Sequence, residues 1–115
     1  MKELHVEVQR VNEKTAVINL VGDVTTFIDT PIHEAYRTLS AEGVSNVILN
    51  FADSSAICSP GIAALLDVVV AANQKNQKVL MALPNDYFKK VFDMMGLSQH
   101  IRIFNSLEEA TSLVS

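Results

Sequence analysis

The stretch Ile57-Cys58-Ser59-Pro60-Gly61-Ile62 decides how this chain of 115 residues folds, because it joins a strand-like run to a helix-like run. The run Val47-Ile48-Leu49-Asn50-Phe51 before it is typical of a buried β-strand, and a long apolar run from Ile62 to Ala72 follows. Ser59 is a favourable N-cap, and Pro60 falls at the first helical position, where its missing N–H costs nothing. A serine placed there faces the positive end of a helix, where an added phosphate would be stabilised.

The composition indicates one compact, core-forming domain over residues 1–115. Hydrophobic residues make up 49% of the chain and charged residues 19%, so the segments can collapse around a core. The net charge of −4, without a basic cluster, argues against a nucleic-acid partner or an anionic membrane surface. Cys58 is the single cysteine, which excludes an internal disulfide and fits a reducing cytoplasm. No leader segment and no membrane span is recognised, so direct membrane insertion is not expected.

The apolar periodicity predicts nine elements in the order β-β-α-β-α-β-α-β-α. Strands are predicted at residues 4–9, 16–21, 47–51, 78–83 and 101–104. Helices are predicted to begin at Pro31, Pro60, Asp86 and Leu107, after the caps Thr30, Ser59, Asn85 and Ser106. The first two strands are joined by the polar turn 12–15 and should form a hairpin, whereas later strands are joined through helices and should pair in parallel. The pattern therefore predicts an α/β fold with a mainly parallel central sheet, an N-terminal hairpin and helices packed on the sheet.

The second helix is the most apolar and raises a question about which face is buried. A core stripe is predicted for Ile62, Leu65, Leu66 and Val69. The flanking positions are Ala63, Ala64, Val68, Val70 and Ala71, with Asp67 as the only charge. Two interpretations stay open: a helix buried all round, or an exposed apolar patch that docks a partner through Val68 and Val70.

Four stretches, in this order and spacing, resemble the STAS domain, the fold of bacterial anti-sigma factor antagonists that also occurs in the tails of sulfate transporters. They are Val21-Gly22-Asp23-Val24, Val47-Ile48-Leu49-Asn50-Phe51, Cys58-Ser59-Pro60-Gly61-Ile62, and Val91-Phe92-Asp93-Met94-Met95-Gly96-Leu97 followed by Ile101-Arg102. Together with the order of elements, the resemblance covers nearly the whole chain.

The resemblance implies a phosphorylated serine at the start of the second helix. Typical antagonists read Asp-Ser-Ser-Gly at this turn, and the register maps the phospho-acceptor onto Ser59. Cys58 then replaces the aspartate and Pro60 the second serine. At the end of the second strand the family commonly reads Gly-Glu-Leu-Asp, and Asp23 keeps the first acid whereas Thr25 replaces the second. Asp53-Ser54-Ser55-Ala56 resembles the motif as a string, but it lacks the following glycine and apolar helix and is predicted to be loop.

Two functions follow from this resemblance. The first is an anti-sigma factor antagonist, a transcription regulator that binds an anti-sigma factor with serine-kinase activity and is switched off by phosphorylation of Ser59. The second is a phosphorylation-silent STAS adaptor of a signalling assembly or a membrane transporter, which the loss of both aspartates favours. The residues expected to contact the partner are Asp23, Thr25, Thr26, Cys58, Ser59, Pro60, Gly61, Val68 and Val70.

Enzymatic and metal functions have little support in the sequence. Ser59 follows a strand as the nucleophile of a hydrolase does, but Ile57 stands where the Gly-x-Ser-x-Gly pattern needs its first glycine. No phosphate-binding glycine loop is present, and no cofactor is expected. His5, His33 and His100 are scattered at spacings that suit no metal site, and they are interpreted as surface residues. The oligomeric state stays open.

Overall fold

The computed structural model describes residues 5–22, 31–53, 59–82, 86–94, 96, 101–104 and 106–114. These residues form nine elements in the predicted order. The strands are β1 His5–Arg10, β2 Thr15–Val21, β3 Asn46–Asp53, β4 Lys78–Ala82 and β5 Arg102–Phe104. The helices are α1 Pro31–Ala41, α2 Ser59–Gln74, α3 Asp86–Met94 and α4 Leu107–Val114.

The five strands lie in one sheet in chain order, β1-β2-β3-β4-β5. β1 and β2 pair antiparallel across a short turn, and the other neighbouring pairs are parallel. Parallel neighbours need crossover connections, and the helices α1, α2 and α3 supply them. The predicted α/β fold, with its N-terminal hairpin and mainly parallel sheet, is therefore confirmed.

The core lies on both faces of the sheet, because β3 is central and its side chains alternate between the two faces. Val47, Leu49 and Phe51 belong to the larger cluster, which is packed beneath α1 and α2, whereas Ile48 belongs to a smaller cluster beneath α4. All four side chains are at most 1% exposed. The near-continuous apolar run of β3 correctly predicted a strand covered on both faces.

Several boundaries differ from the sequence prediction by one or two residues, among them the starts of β2 and α2. Thr15, predicted to be part of a polar turn, begins β2 and is fully buried, because the Asn46 side-chain amide on β3 donates a hydrogen bond to its hydroxyl at 3.2 Å. Ser59 is the first residue of α2, one position before the predicted start at Pro60. β1 is more exposed than its alternating pattern indicates. Val6 is half-buried, but Val8, on the same face, is 46% exposed.

The helix ends that the sequence predicted are formed by local hydrogen bonds. Gly43 has φ +90° after α1 and donates its N–H to the Ser40 carbonyl, while the Val44 N–H reaches the Leu39 carbonyl at 3.1 Å. This pair of bonds is a Schellman motif, which favours glycine at the left-handed position. At α4 the Glu109 N–H donates to Ser106 Oγ at 3.1 Å, which confirms Ser106 as the predicted cap. The predicted cap Asn85 lies outside the described residues.

The carboxyl end of α2 is tied to α1 by a polar cluster of Tyr36, Ser40, Lys75 and Gln77. The Tyr36 hydroxyl donates to Gln77 Oε1, and the Gln77 side-chain amide donates to Ser40 Oγ and to the Val44 carbonyl, both at 3.1 Å. The Lys75 ammonium lies 5.9 Å from the centre of the Tyr36 ring. Burial raises the pKa of the Tyr36 hydroxyl, partly opposed by its contact with Ser40. This end of the helix pair is therefore held by several mutually supporting bonds.

Candidate functional site

The candidate site lies at the carboxyl edge of the parallel strands, where the chain leaves β2 and β3. Val21, the last residue of β2, pairs with Asp53, the last residue of β3. The segment that follows Val21 therefore leaves the sheet beside the segment that leads from Asp53 to α2. This is the neighbourhood in which α/β sheets commonly bind ligands and partners, because loops from several strands meet there.

Two asparagines brace this edge of the sheet from inside. The side-chain amide of Asn50 on β3 donates a 2.7 Å hydrogen bond to Asn19 Oδ1 on β2, and Asn50 Oδ1 accepts the Ala52 N–H at 3.1 Å. The regular pairing of the two strands shifts between Asn19 and Val21. Gly22 follows with φ +98°, a backbone conformation that glycine adopts without strain. The bonds of Asn50 therefore fix the last residues of β3 before the chain continues to α2.

Sequence reasoning missed this pair of asparagines, although a signal was present. Asn19 interrupts the apolar run of β2 and Asn50 interrupts that of β3. In neighbouring parallel strands, two polar residues within otherwise buried runs can face each other, and a hydrogen bond is then expected. Aligning the two strands by their apolar patterns would have placed the two amides opposite each other, as the register Asn19↔Asn50 does.

The first turn of α2 begins at this edge of the sheet with Ser59, Pro60 and Gly61. It contains no acidic side chain, so the partial positive charge of the helix end is not neutralised within that turn. Backbone N–H groups in the first turn of a helix lack partners within the helix and can bind an anion. A phosphate on Ser59 would carry about −2 charge at the helix end that favours it.

On α2, Val68 and Leu66 have the reverse of their predicted exposure. Leu65, Val68, Val69 and Ala72 form the buried stripe, all at most 3% exposed. Val68 is 0% exposed, so its predicted role in an exposed docking patch is wrong, while Leu66, predicted to be core, is 37% exposed. The buried positions 65, 68, 69 and 72 follow the three- and four-residue spacing of one helix face, and that face packs in the larger core cluster. Val70 is 48% exposed, as the docking interpretation requires.

Leu66 and Val70 therefore form an exposed apolar ridge on α2, with the exposed Asp67 beside it. Position 59 lies seven residues before Leu66, so it occupies the same side of the helix two turns earlier. The distance along the helix from position 59 to Val70 is about 16 Å at 1.5 Å per residue. The start of α2 and the ridge can thus belong to one continuous surface.

Some of the other predicted site residues are described by the structure and some are not. Asp23, Thr25, Thr26 and Cys58 lie outside the described residues, so the predictions made for them stay predictions. Ser59, Pro60 and Gly61 are placed by their backbone in α2. Ser54, Ser55 and Ala56 of the similar string also lie outside the described residues, whereas Asp53 ends β3.

His33 is less exposed than predicted and lies between two helices. Its side chain on α1 is 14% exposed, and its Nε2 is 4.0 Å from Oδ2 of Asp67 on α2. His5 is exposed as predicted, and His100 lies outside the described residues. Across the described ranges, no group of three or more His, Cys, Asp or Glu side chains is arranged to hold a metal ion. Among the same residues, no helix is long and apolar enough to cross a membrane.

Comparison with known proteins identifies the domain. Residues 6–110 match the family model of the STAS domain. No curated protein sequence matches the chain.

Solved structures with the same fold include regulators and a transporter-family protein. The phosphorylated form of the Bacillus cell fate determinant SpoIIAA shares 23% sequence identity, with 96% of this chain and 100% of that chain covered and a TM-score of 0.68. An anti-sigma factor antagonist from Mycobacterium paratuberculosis shares 14% identity, with 97% and 94% covered and a TM-score of 0.75. A sulfate transporter family protein from Wolinella succinogenes shares 14% identity, with 91% and 88% covered and a TM-score of 0.75.

Proposed function

The chain belongs to the STAS domain family, and from that premise we propose that it is an anti-sigma factor antagonist switched off by phosphorylation of Ser59. In this proposal the unmodified protein binds an anti-sigma factor that is also a serine kinase. Phosphorylation adds about two negative charges at the contact surface and releases the complex, by repulsion or by blocking a packed interface. A kinase that uses cytoplasmic ATP also requires this domain to be in the cytoplasm.

The observation that carries the proposal is the position of Ser59. It opens the first turn of a 16-residue helix at the edge where β2 and β3 end side by side. The first turn of α2 contains no acidic side chain that would compete with a phosphate for the helix end. Pro60 removes one N–H, but Gly61 and Ile62 retain theirs.

The ridge of Leu66 and Val70 supports protein binding as the activity. Exposed aliphatic side chains that lie adjacent on a helix are suited to pack against a partner surface. The ridge lies on the same side of α2 as position 59, so a bound partner would cover both. Asp23, Thr25 and Thr26 follow β2 in the sequence, and the proposal includes them in the contact surface.

Intact-mass measurement tests the switch. With a serine kinase of the anti-sigma type and ATP, the wild-type chain should gain about 80 Da, the mass of one phosphate. Ser59→Ala should abolish the gain, whereas the control Ser54→Ala/Ser55→Ala, in the similar string, should retain it. A gain that survives Ser59→Ala, or the absence of any gain with the cognate kinase, would contradict the proposal.

Partner capture tests the docking surface. The kinase should be captured by wild type and by Ser59→Ala, but not by Ser59→Asp or Val70→Lys. Val70 is exposed, so its lysine variant should keep the wild-type free energy of unfolding. Lys78→Ala is the control, and it should capture the kinase normally. This exposed lysine starts β4, so it lies at the edge of the sheet opposite to the candidate site.

The second candidate is the phosphorylation-silent adaptor, which two observations favour. The fold is shared with a sulfate transporter family protein, and the two aspartates usual near the serine are replaced by Cys58 and Thr25. In that case wild type, Ser59→Ala and Ser59→Asp should capture the same partner equally well. That result would eliminate the switch and leave the adaptor.

A further inference from the structure

The two edges of the sheet are protected to different extents. β5 has three residues, so it offers little main chain for another strand to pair with. β1 has six residues in regular register with β2, and its other side is the edge of the sheet. It contains neither proline nor lysine; its charged side chains include Glu7 and Arg10, and Arg10 is paired with Glu42.

A groove of about 390 Å³ lies between β1 and α1, next to this open edge. Val6, Val8, Ala35 and Leu39 line it with apolar side chains. Val8 is 46% exposed although it faces the groove, which means that α1 covers the strand only in part. A strand added beside β1 would cover the remaining apolar surface and satisfy the main-chain groups of the edge.

The charges of the groove are arranged at its two ends. Arg10 forms an ion pair with Glu42 at one end. Glu34 lines the other end, and it lies two turns before Glu42, about 12 Å along the helix. Val6 and Arg10 are separated by a similar length of strand, about 13 Å. Because Glu42 is paired with Arg10, Glu34 lies near Val6 at the other end of the groove.

We propose that the occupant is a second copy of this chain, which pairs its β1 antiparallel with the first β1 to form one continuous ten-stranded sheet. A two-fold axis perpendicular to the sheet requires one residue to face its own copy. With Val8 on the axis, Val6 faces Arg10 of the other copy and Glu7 faces Gln9. With Glu7 on the axis, two carboxylates would oppose each other, which is unfavourable.

This register also matches the charges of the groove. Arg10 of the second copy lies opposite Val6, at the end of the groove that Glu34 lines. The two-fold axis repeats the contact, so each copy supplies one arginine and one glutamate. Val8 and its copy then fill the centre of the joined grooves. An extended segment of an unrelated protein would need an arginine and a valine at the matching positions by chance. A second copy of this chain has both residues there by symmetry.

Sedimentation velocity over a range of protein concentrations tests the association. Wild type should approach twice the 12.6 kDa of one chain as the concentration rises. Val8→Lys should stay monomeric, because two lysines would meet on the axis. Val70→Lys is the matched control, since Val70 is 48% exposed on α2, and it should dimerise as wild type does. A wild type that is monomeric at every concentration, or a Val8→Lys variant that still dimerises, overturns the proposal.

Charge exchange and cross-linking test the register. Glu34→Arg and Arg10→Glu should each weaken the dimer, and the double variant should restore it, although Arg10→Glu also breaks the pair with Glu42. Disulfide cross-linking is the second test of the register. In a Cys58→Ser background, which removes the single native cysteine, Val8→Cys should form an intermolecular disulfide under oxidising conditions. The reason is that facing antiparallel residues have Cα atoms about 4.5–5.5 Å apart. Faster cross-linking of Glu7→Cys or Gln9→Cys than of Val8→Cys would show that the register is wrong. Val8→Lys leaves Ser59 intact, so its phosphorylation reports on the proposed switch independently of dimerisation.

Discussion

The two ends of α2 are built differently. At its carboxyl end, Gln77 joins the helix pair through bonds to Tyr36, Ser40 and the Val44 carbonyl. At its amino end, the described bonds are those of Asn50, which brace the sheet that leads to the helix, and the helix itself begins with Ser59.

One helix thus combines a hydrogen-bonded end with an end at which a modification is proposed. The carboxyl end connects α1, α2 and the start of β4, so its bonds hold the fold together. The amino end begins with Ser59, the residue proposed to be phosphorylated. Substitutions at the carboxyl end should therefore lower the free energy of unfolding without changing phosphorylation, and those near the amino end should change both.

The largest expected effect is that of Gln77→Leu. It should lower the free energy of unfolding by about 2–4 kcal/mol, because it removes the acceptor of the Tyr36 hydroxyl and the donor to Ser40 Oγ and the Val44 carbonyl. Urea denaturation measures the loss, and Gln74→Leu, at the exposed glutamine that ends α2, should cost less than about 0.5 kcal/mol.

If the two ends of α2 act independently, Gln77→Leu should not change the phosphorylation of Ser59. While the variant is folded, its rate of phosphorylation at Ser59 should equal that of wild type. A stable variant with a slowed rate would mean that the two ends of α2 are coupled, and the separation drawn between them would be incorrect.

Asn50→Leu should have a smaller effect on stability and a larger one on modification. It removes the bonds to Asn19 and to the Ala52 N–H, which should lower the free energy of unfolding by about 1–2 kcal/mol at this half-buried site. The rate of Ser59 phosphorylation should fall, since the end of β3 is no longer held. Asn73→Leu, at an exposed asparagine of α2, is the control for both measurements.

A second variant separates the lost bond from the added leucine. Asn19→Leu/Asn50→Leu replaces both partners by apolar groups and should recover part of the stability, because no amide is then left unpaired. If phosphorylation is unaffected in the single variant, the bracing asparagines serve the fold alone.

The smallest expected effect is that of Tyr36→Phe, with a loss of about 1 kcal/mol at neutral pH for one hydrogen bond. The pKa of Tyr36 is raised in the folded state, so the native protein holds its proton more tightly than the unfolded chain does. Its contribution is complete below the unfolded pKa of about 10 and is lost as the pH rises through the higher folded value.

Denaturation as a function of pH checks that sign. The wild type should lose stability above about pH 10 more steeply than Tyr36→Phe. The chain contains a second tyrosine, and Tyr87→Phe should keep the wild-type slope if the effect belongs to Tyr36. Identical slopes for wild type and Tyr36→Phe would contradict the assignment.

The fold was predictable because its signals are local. The continuous apolar run marks the central strand, and Pro31, Gly43 and Ser106 mark helix ends through their own backbone and side-chain preferences. Strands joined by helices must then pair in parallel, whatever the details of packing. The family resemblance added Ser59 as the proposed phosphorylation site, which stays a prediction.

What the sequence could not decide depends on contacts between distant residues. Whether Val68 or Leu66 faces the core depends on which side of α2 packs against the rest of the molecule, and both residues fit an apolar helix equally well. The bond between Asn19 and Asn50 depends on the register of two strands whose paired residues are 31 positions apart. Apolar pattern and chain order thus determined the sheet and its crossovers by themselves, because these follow from the chain's own geometry. Only the tertiary structure decided which side chains remain exposed for a partner, because exposure is a property of the packed molecule.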